Sequence, residues 1–417
     1  MPNSQDLNSD SSGSGNKVAG KSGLRPFISG IVPLFVVAHF GHHGVGAMMR
    51  PLLPMIRSDL GLNLTQAGYI MSAFTLTNGL IQLPAGWLAD RLGARLMVLL
   101  SITGVAVAGF FIGFSNSFAS LVIFLVLSAI MGGGYHPASV AAISASVAPE
   151  FRGRSLGVHL IGGTSAFWLI PLLVTPIAAT WDWRMPFKTI LVPIAILGIV
   201  LFVLIGRRTR AIAIEREKTG SEAPPDDTAI PWRKLVPFMV MSVMTGTMIM
   251  STSSFLSFYA VDRLNVPETT IPLLMAITPG VGLFMAPLGG YLSDRFGSVR
   301  VILVLGFTAI PLVYLMGVTP NVPSLIALMI AIGLVTNTRM PTSESYIAGN
   351  TPERRRSTML GIYFFAGTGV AGPLAPLIGN LIDRIGYEQT FAMASLATAM
   401  VTVVSALFIW KTGTADN

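Results

Sequence analysis

The sequence predicts an all-α membrane protein with twelve membrane-spanning helices arranged as two six-helix halves. The prediction depends on composition, on the spacing of apolar runs and on an internal repeat. Of the 417 residues, 52% are apolar and 11% are charged, and mean hydropathy is +0.68. Because a soluble domain carries about 25% charged residues, this composition excludes an ordinary cytosolic enzyme and a disordered chain.

Twelve apolar runs have the length of about 20 residues that a helix needs to cross a bilayer. They are predicted to be helical because a bilayer offers no partner to a bare backbone group. The predicted spans cover residues 28–49, 66–88, 96–114, 118–146, 155–179, 186–206, 235–259, 270–292, 299–318, 322–348, 357–382 and 390–410.

Polar segments divide the chain further. Residues 1–26 form a Ser/Gly/Asn-rich tail without the short apolar run of a secretory signal, and we expect this tail to be disordered and cytoplasmic. Residues 207–232 are charged and contain prolines, and we interpret them as a cytoplasmic linker. The two halves then cover residues 27–206 and 233–411, and residues 412–417 form a second cytoplasmic tail.

The basic residues set the expected orientation. With both termini in the cytoplasm, the inner segments hold 20 Lys and Arg, the outer loops hold 6, and Arg339 lies within a span. The positive-inside rule favours this topology, and we expect it in the cytoplasmic (inner) membrane. The net charge of +8 is spread over short loops, so nucleic acid is not an expected partner. The absence of Cys excludes disulfides and thiolate metal sites.

An internal repeat relates the two halves. The residues GWLADRLG at 86–93 recur as GYLSDRFG at 290–297, an offset of 204. The same offset maps Pro137 onto Pro341 and needs no net insertion between the second and fifth spans. The halves are therefore predicted to be parallel repeats, related by an axis along the membrane normal.

Because the repeated element at 86–93 and 290–297 lies at the ends of two matching spans, residues 27–411 resemble the major facilitator superfamily. The resemblance implies that fold and secondary transport, with a central cavity lined by the first, fourth, seventh and tenth spans. The N-terminal half is most similar to the fosmidomycin-resistance-type drug exporters, through AHF at 38–40, LP at 53–54, PAGWLADR at 84–91, YHP at 135–137 and RGR at 152–154. It departs from them at Ala138, where those exporters carry an acidic residue.

Charged residues of the repeated element are predicted to form a conformational gate. Asp90 ends the second span, where its carboxylate can face the positive N-terminus of a helix from the other half. The resemblance implies that this helix is the eleventh, beginning near Ser357. We expect Arg91 and Arg95 to add ion pairs at the inner surface, and Asp294 and Arg295 are the repeat partners of Asp90 and Arg91.

Few polar residues lie within the spans, and such residues normally face a cavity. All five histidines are in the N-terminal half, and His39 and His43 share one face of a helix, whereas His42 is about 100° away from His43. The predicted cavity and substrate-binding residues are His39, His43, Asn78, Gln82, Tyr135, His136, Thr247, Ser251, Arg339 and Tyr363. Thr247 and Ser251 belong to a hydroxyl strip with Thr245, Thr252 and Ser254.

Proton coupling is predicted at Glu344, His39 and His136, because a buried carboxyl group or an imidazole exchanges protons at physiological pH. The alternatives are packing and hydrogen bonds between helices for the histidines, for Asn78 and Gln82 and for the hydroxyl strip. No metal site is predicted: the H-x-x-H-H spacing at 39–43 allows one, but no Cys or nearby carboxylate supports it. No cofactor is implied, since the chain has no phosphate-binding loop for ATP.

The sequence thus predicts a transporter, not an enzyme. Its predicted function is proton-coupled efflux of a small polar or anionic organic compound by alternating access, with Arg339 holding a negative group. The expected partners are that small molecule, protons and the lipid bilayer, and the expected oligomeric state is a monomer. Proton-coupled uptake of an organic anion is the alternative within transport. A membrane receptor or scaffold that moves no solute is the alternative of another class.

Overall fold

The computed structural model describes residues 30–219, 229–267 and 270–411. Within these ranges the chain forms helices and no strand. The helices of the first half are α1 (Val32–His42, Gly44–Asp59), α2 (Leu64–Leu92), α3 (Ala94–Leu99, the π-helical Leu100–Gly104, Val105–Ile112), α4 (Phe118–Gly132, Tyr135–Ser146), α5 (Arg152–Thr180) and α6 (Met185–Thr219). The helices of the second half are α7 (Trp232–Ser253, Leu256–Asp262), α8 (Ile271–Met275, Ile277–Phe296), α9 (Ser298–Leu315), α10 (Val322–Gly349), and α11 with α12 within Arg356–Lys411.

Each predicted span corresponds to one of these helices, so the predicted fold class is confirmed. Nine helical segments of the described residues are long and apolar enough to cross a membrane. One of the nine, Glu353–Lys411, contains both α11 and α12, which are separated at Gly386, where φ is 80°. Large apolar side chains cover the outer surface, as a lipid-facing surface requires; Leu172, Phe284 and Trp410 are examples, each more than two-thirds exposed.

The final glycine of each repeated element ends a helix. Gly93 follows α2 with φ 81° and Gly297 follows α8 with φ 85°. This region of backbone conformation is open to glycine and costly for other residues. The next helix begins at once in both halves, which explains why the element closes on glycine twice.

Helices α1 and α4 are among those that are interrupted within the bundle. The segments of α1 meet at His43, and those of α4 are separated by Gly133 and Gly134. In secondary transporters, interrupted helices commonly form the substrate or ion site. Both interruptions lie beside histidines, and the candidate site is built around them.

The two halves contact each other through α2 with α11 and through α5 with α8. A methyl group at Gly86 would collide with the backbone oxygen of Ser357, and one at Gly157 would collide with that of Ala286. Glycine therefore allows these helix backbones to touch. We call the end of the bundle that carries Asp90 and Asp294 the motif end, and the end that carries Asp59 and Arg184 the opposite end.

Two helices continue well beyond their predicted spans. Helix α1 continues to Asp59, beyond the predicted span 28–49. Helix α6 continues to Thr219, so the predicted linker 207–232 begins as a helix. Arg and Glu are good helix formers and extend a helix that an apolar segment has nucleated. The predicted tails at 1–26 and 412–417, and part of the linker, lie outside the described residues.

Candidate functional site in the central cavity

All five histidines converge in the N-terminal half. The Nδ1 atom of His39 lies 3.0 Å from the carbonyl oxygen of His159, and its Nε2 atom lies 3.1 Å from Nε2 of His43. The His39 ring stacks on that of His159, with centroids 4.3 Å apart, and its edge meets His136 at 5.2 Å. The His42 ring joins the cluster 4.8 Å from that of His43.

Residues 42 and 43 lie about 100° apart around an ideal helix, yet the rings of His42 and His43 are 4.8 Å apart, so both belong to the cluster. His159 was not among the predicted site residues, yet it contacts His39 from α5. Gly162 and Gly163, one turn further along α5, permit this close approach to α1.

Tyr135 lies behind the histidines and is fully buried. Its hydroxyl donates to the carbonyl oxygen of Phe35 over 2.9 Å and lies 3.1 Å from Nε2 of His159. The His42 ring stacks on the Tyr135 ring with centroids 4.5 Å apart. Tyr135 therefore holds the cluster in place from the side away from the cavity, although it was predicted to line the cavity.

A second polar group occupies the C-terminal half. The Nη1 atom of Arg339 donates to the Ser242 carbonyl over 3.1 Å, to the Ser242 hydroxyl over 3.0 Å and to the Tyr363 hydroxyl over 2.7 Å. The Ser242 hydroxyl also lies 2.6 Å from that of Ser343. The Nε atom of Arg339 is buried and has no partner among the described residues, while the side chain lines the C-terminal part of the cavity described below.

The repeat relates these two groups. The offset of 204 maps Tyr135 onto Arg339 and His159 onto Tyr363. In each half the two residues contact each other through their polar atoms, at 3.1 Å and 2.7 Å respectively. One fold position thus carries a neutral phenol in the first half and a fixed positive charge in the second.

A cavity separates the two groups. Its N-terminal part has a volume of about 230 Å³ and its C-terminal part about 280 Å³, and Met250 and Thr368 line both parts. Residues of the N-terminal part include His42, His43, Arg50, Asn78 and Phe167. Residues of the C-terminal part include Thr247, Thr336, Arg339, Tyr363 and Phe364.

Several predicted cavity residues lie elsewhere. Gln82 is buried, with its backbone against Gly361 of α11. Ser251 is buried and lines neither part of the cavity. Thr252, from the same predicted strip, donates its hydroxyl to the Met248 carbonyl of its own helix over 2.6 Å. Hydroxyl groups in helices commonly bond backward in this way, and only Thr247 of the strip reaches the cavity.

His39 and His136 are not among the residues that line the two parts of the cavity, and neither is Glu344, the residue predicted to couple protons. His39 lies behind His43, and His136 is partly exposed and contacts Phe364 of α11. Glu344 is fully buried, and neither of its carboxyl oxygens has a hydrogen-bond partner among the described residues. It lies on α10 within electrostatic reach of Arg339, but it does not line the cavity.

At the motif end, Asp90 bonds the N-terminus of α11. Its Oδ1 atom accepts from the backbone N–H of Ser357 over 2.9 Å. Its Oδ2 atom accepts from the N–H and the hydroxyl of Thr358, over 2.8 and 2.6 Å. The partner helix is the one that the family resemblance implied, and the contact joins the two halves.

Asp294 makes the equivalent contact with the N-terminus of α5. It accepts from the backbone N–H groups of Gly153 and Arg154 over 2.7 and 2.9 Å. The Arg154 side chain adds an ion pair at 3.1 Å. Sequence reasoning did not identify this partner, but the repeat contains it: subtracting 204 from Ser357 and Thr358 gives Gly153 and Arg154.

The ion pairs predicted for Arg91 and Arg95 are absent among the described residues. The guanidinium carbon of Arg91 lies 3.8 Å from the centroid of the Trp87 ring, and that of Arg95 lies 3.8 Å from that of Phe202. Arg295 donates to the Tyr291 hydroxyl over 2.9 Å. Aromatic side chains offer these arginines cation–π contacts, and the aromatic residue four positions earlier was a visible signal for Arg91 and Arg295.

Comparisons with known proteins agree on one family. The family model of the Major Facilitator Superfamily matches residues 35–313 and again residues 238–416. The two overlapping matches reflect the internal repeat.

Curated relatives carry names of transporters. The chain is 27% identical over 398 residues to the "Probable sulfoacetate transporter SauU" of Cupriavidus necator, covering 87% of this chain and 89% of the relative. It is 28% identical to the "Probable nitrate/nitrite antiporter NarK1" of Thermus thermophilus, over 59% and 57% of the two chains. It is 24% identical to the "Multidrug resistance protein MdtG" of Salmonella dublin, over 88% and 91%.

Solved structures share the fold. The human organic anion transporter MFSD10 superposes with a TM-score of 0.70 at 17% sequence identity, over 90% of this chain and 98% of that chain. The fucose:proton symporter FucP of E. coli gives a TM-score of 0.68 at 14% identity, over 90% and 98%.

Proposed function

The chain belongs to the Major Facilitator Superfamily of membrane transporters, and from that premise we propose that it moves a small organic anion by alternating access. The observation that carries the proposal is Arg339. A guanidinium group deep in a membrane protein is costly without a compensating partner. Its described partners are a carbonyl and two hydroxyl groups, which bear no charge, so an anion in the cavity would supply the counter-charge.

The relatives support the same substrate class. The names of two curated relatives refer to sulfoacetate and to nitrate or nitrite, which are all anions. The cavity is large enough for a compact anion and is lined by hydroxyl and aromatic groups beside Arg339. We propose a carboxylate or sulfonate group as the part that Arg339 binds, because the planar guanidinium fork matches such groups.

Proton coupling is assigned to Glu344. An ionised carboxylate with no hydrogen bond is costly to bury, whereas the neutral acid is compatible with this site. When Glu344 is ionised it offsets the charge of Arg339, and when it is neutral that charge is free for a substrate anion. Proton and anion then raise each other's affinity, as linkage requires, and they move together. The charges therefore favour proton-coupled uptake, by symport.

Proton-coupled efflux is the second candidate. It is favoured by the similarity to a multidrug resistance protein and by the resemblance of the N-terminal half to fosmidomycin-resistance-type exporters.

We propose that the motif end faces the cytoplasm of a bacterial inner membrane, with both termini on that side, because the predicted inner segments carry most of the basic residues.

Flux into proteoliposomes tests the proposal, with small sulfonates and carboxylates as probes and sulfoacetate as the first. We expect accumulation to need an inward proton gradient and to fail in Arg339→Gln and Arg339→Lys. Arg263→Gln is the matched control, because Arg263 is exposed and outside the cavity. Normal accumulation of the anion by Arg339→Gln would contradict the proposal, as would export of the same anion driven by an inward proton gradient, which is the behaviour of an antiporter.

The same assay tests the coupling residues separately. Glu344→Gln fixes the neutral form, so exchange of anion across the membrane should persist while gradient-driven accumulation is lost. His39→Gln and His136→Gln test the predicted contribution of the imidazoles. Full gradient-driven accumulation in Glu344→Gln would remove Glu344 from the coupling mechanism and leave the anion site itself standing.

A further inference from the structure

The histidine cluster contains a set of nitrogen atoms with metal-ligand spacing. One ring nitrogen from each of His39, His43 and His136 lies within 4.8 Å of the other two. Two Zn–N bonds of about 2.0–2.1 Å at a tetrahedral angle place their nitrogens roughly 3.3 Å apart. The Nε2 atoms of His39 and His43 are 3.1 Å apart, which is close to that spacing, so small side-chain movements complete the set.

The surroundings orient the His39 ring as a metal ligand is usually oriented. A ligating histidine typically donates its other ring N–H to a carboxylate or backbone carbonyl, which fixes the tautomer. The Nδ1 atom of His39 lies 3.0 Å from the carbonyl oxygen of His159. With the proton on Nδ1, Nε2 of His39 keeps a lone pair that can bind the ion.

The cluster is also accessible from the cavity. His43 lines the N-terminal part of the cavity and His136 is partly exposed, whereas His39 is buried behind them. A metal ion bound to the three nitrogens would therefore be held from one side and open toward the cavity. Three histidines with one open position form the arrangement found in many zinc sites that bind an exchangeable ligand.

We propose that His39, His43 and His136 form a binding site for a divalent transition-metal ion that enters from the central cavity. The all-nitrogen donor set selects Zn²⁺, Cu²⁺ or Ni²⁺ over Mg²⁺ and Ca²⁺, which require oxygen ligands. With three neutral ligands, the bound ion keeps its double positive charge. Its open position would take water or an anionic group across the cavity from Arg339.

This inference stands apart from the proposed function, because metal binding requires no transported anion. It also competes with the proton-coupling role predicted for His39 and His136, since one lone pair cannot hold a proton and a metal ion together. The same nitrogens serve one role at a time, so a metal measurement on the isolated protein separates the two.

The chain is well suited to the experiment, because it contains no Cys and its five histidines are all in this cluster. The full-length protein is purified with an affinity tag free of histidine, stripped with a chelator and titrated with Zn²⁺ by calorimetry. Co²⁺ is titrated in parallel as a spectroscopic probe of nitrogen coordination. We expect one Zn²⁺ per chain and visible Co²⁺ absorption bands of a site with fewer than six ligands.

The variants are His43→Gln and His136→Gln, with His42→Gln as the matched control from the same cluster. Loss of one ligand should weaken Zn²⁺ binding by more than the roughly 10- to 100-fold that loss of a supporting contact costs, and His42→Gln should retain the site. Thermal unfolding without metal checks that each variant folds. Absence of stoichiometric binding to the wild type, or its retention by both ligand variants, would overturn the inference. Anion flux with no metal binding would leave the proposed function intact.

Discussion

The two bridges at the motif end use the same carboxylate in the same repeat position but differ in their third donor. Asp90 accepts from two backbone N–H groups and the Thr358 hydroxyl, whereas Asp294 accepts from two backbone N–H groups and the Arg154 guanidinium. The shared part is a helix N-terminus, where free N–H groups and the helix dipole attract a negative charge. The difference is that one bridge is completed by a neutral group and the other by a charged group.

This comparison indicates how the halves hold each other at one end. Each half offers an aspartate and receives one, so the contact is reciprocal and closes both sides of the interface at once. Each bridge crosses between halves, and a conformation that opens the motif end must break both. We therefore expect the bridges to stabilise the state in which the motif end is closed.

The largest effect is expected when both bridges lose their charge. The double variant Asp90→Asn with Asp294→Asn keeps side-chain shape and removes six charge-assisted contacts, three at each aspartate. At about 1.5–3 kcal/mol for a hydrogen bond to a charged group, and with incomplete loss of each contact, we expect a shift of about 5 kcal/mol toward the state with an open motif end. That is more than a thousandfold in the equilibrium. Pulsed EPR distances between labels on the two halves measure it.

The single variants test whether the third donor matters. Asp294→Asn should shift the equilibrium by about 3 kcal/mol and Asp90→Asn by about 2 kcal/mol, because only the former leaves a guanidinium group without its carboxylate. The Asp294 side chain is only 3% exposed, which limits screening by water. Solvent accessibility of a single Cys introduced at the motif end gives the two populations. A larger shift in Asp90→Asn would contradict this ranking.

Changes to the third donor alone should have smaller effects. Thr358→Val removes the hydroxyl bond to Asp90 and keeps the side-chain shape, so we expect a shift of about 1 kcal/mol. Arg154→Gln should shift the equilibrium less, because the Gln amide is still a hydrogen-bond donor and both backbone N–H bonds to Asp294 remain. The same single-Cys assay ranks the two, and Gly68→Ala serves as the control, since nothing lies within 4 Å of that position.

The smallest effect is expected at the opposite end, where Asp59 pairs with residues of its own half. The Trp183 indole and the Arg184 guanidinium bond Asp59, and these bonds hold the pKa of the Asp59 carboxyl below its ordinary value. A lowered pKa in the folded state contributes stability above the unfolded pKa of about 3.9, which is lost as pH falls through the folded value.

Asp59→Asn should therefore lower the unfolding temperature slightly at pH 7, and the difference from the wild type should shrink below about pH 4 and vanish once the pH is below the folded pKa. Thermal unfolding across this pH range checks the prediction. Because this contact lies within one half, label distances between halves should not change. A change in those distances would mean that Asp59 also biases the conformational equilibrium.

Much of the fold was predictable because membrane spans and repeats leave strong signals in a sequence. Gly93 and Gly297 end their helices where the repeated element places them, and the α2–α11 contact follows from the family resemblance. The repeat also predicts the Asp294 contact, because an offset of 204 residues relates Asp90 to Asp294 and the N-terminus of α5 to that of α11. Each of these features depends on local sequence or on that offset.

The cavity was less predictable, because the partners of polar side chains depend on how the helices pack. The His42 ring lies 4.8 Å from that of His43 although the two residues are about 100° apart on an ideal helix, and the burial of Glu344 depends on how α10 packs. Thr252 donates its hydroxyl to its own backbone instead of facing the cavity. Helical periodicity alone predicts none of these outcomes, because it says nothing about which partner a polar group finds.

Alternating access through these bridges is tested most directly by distances at both ends in one protein. Labels at Leu92 and Glu353 report the distance at the motif end, and labels at Ser58 and Arg263 report the distance at the opposite end. All four sites are exposed, and the native chain has no Cys that would take a label elsewhere. Between the wild type and the double aspartate variant, we expect the first distance to lengthen while the second shortens. Unchanged distances, or lengthening at both ends, would contradict alternating access through the two bridges.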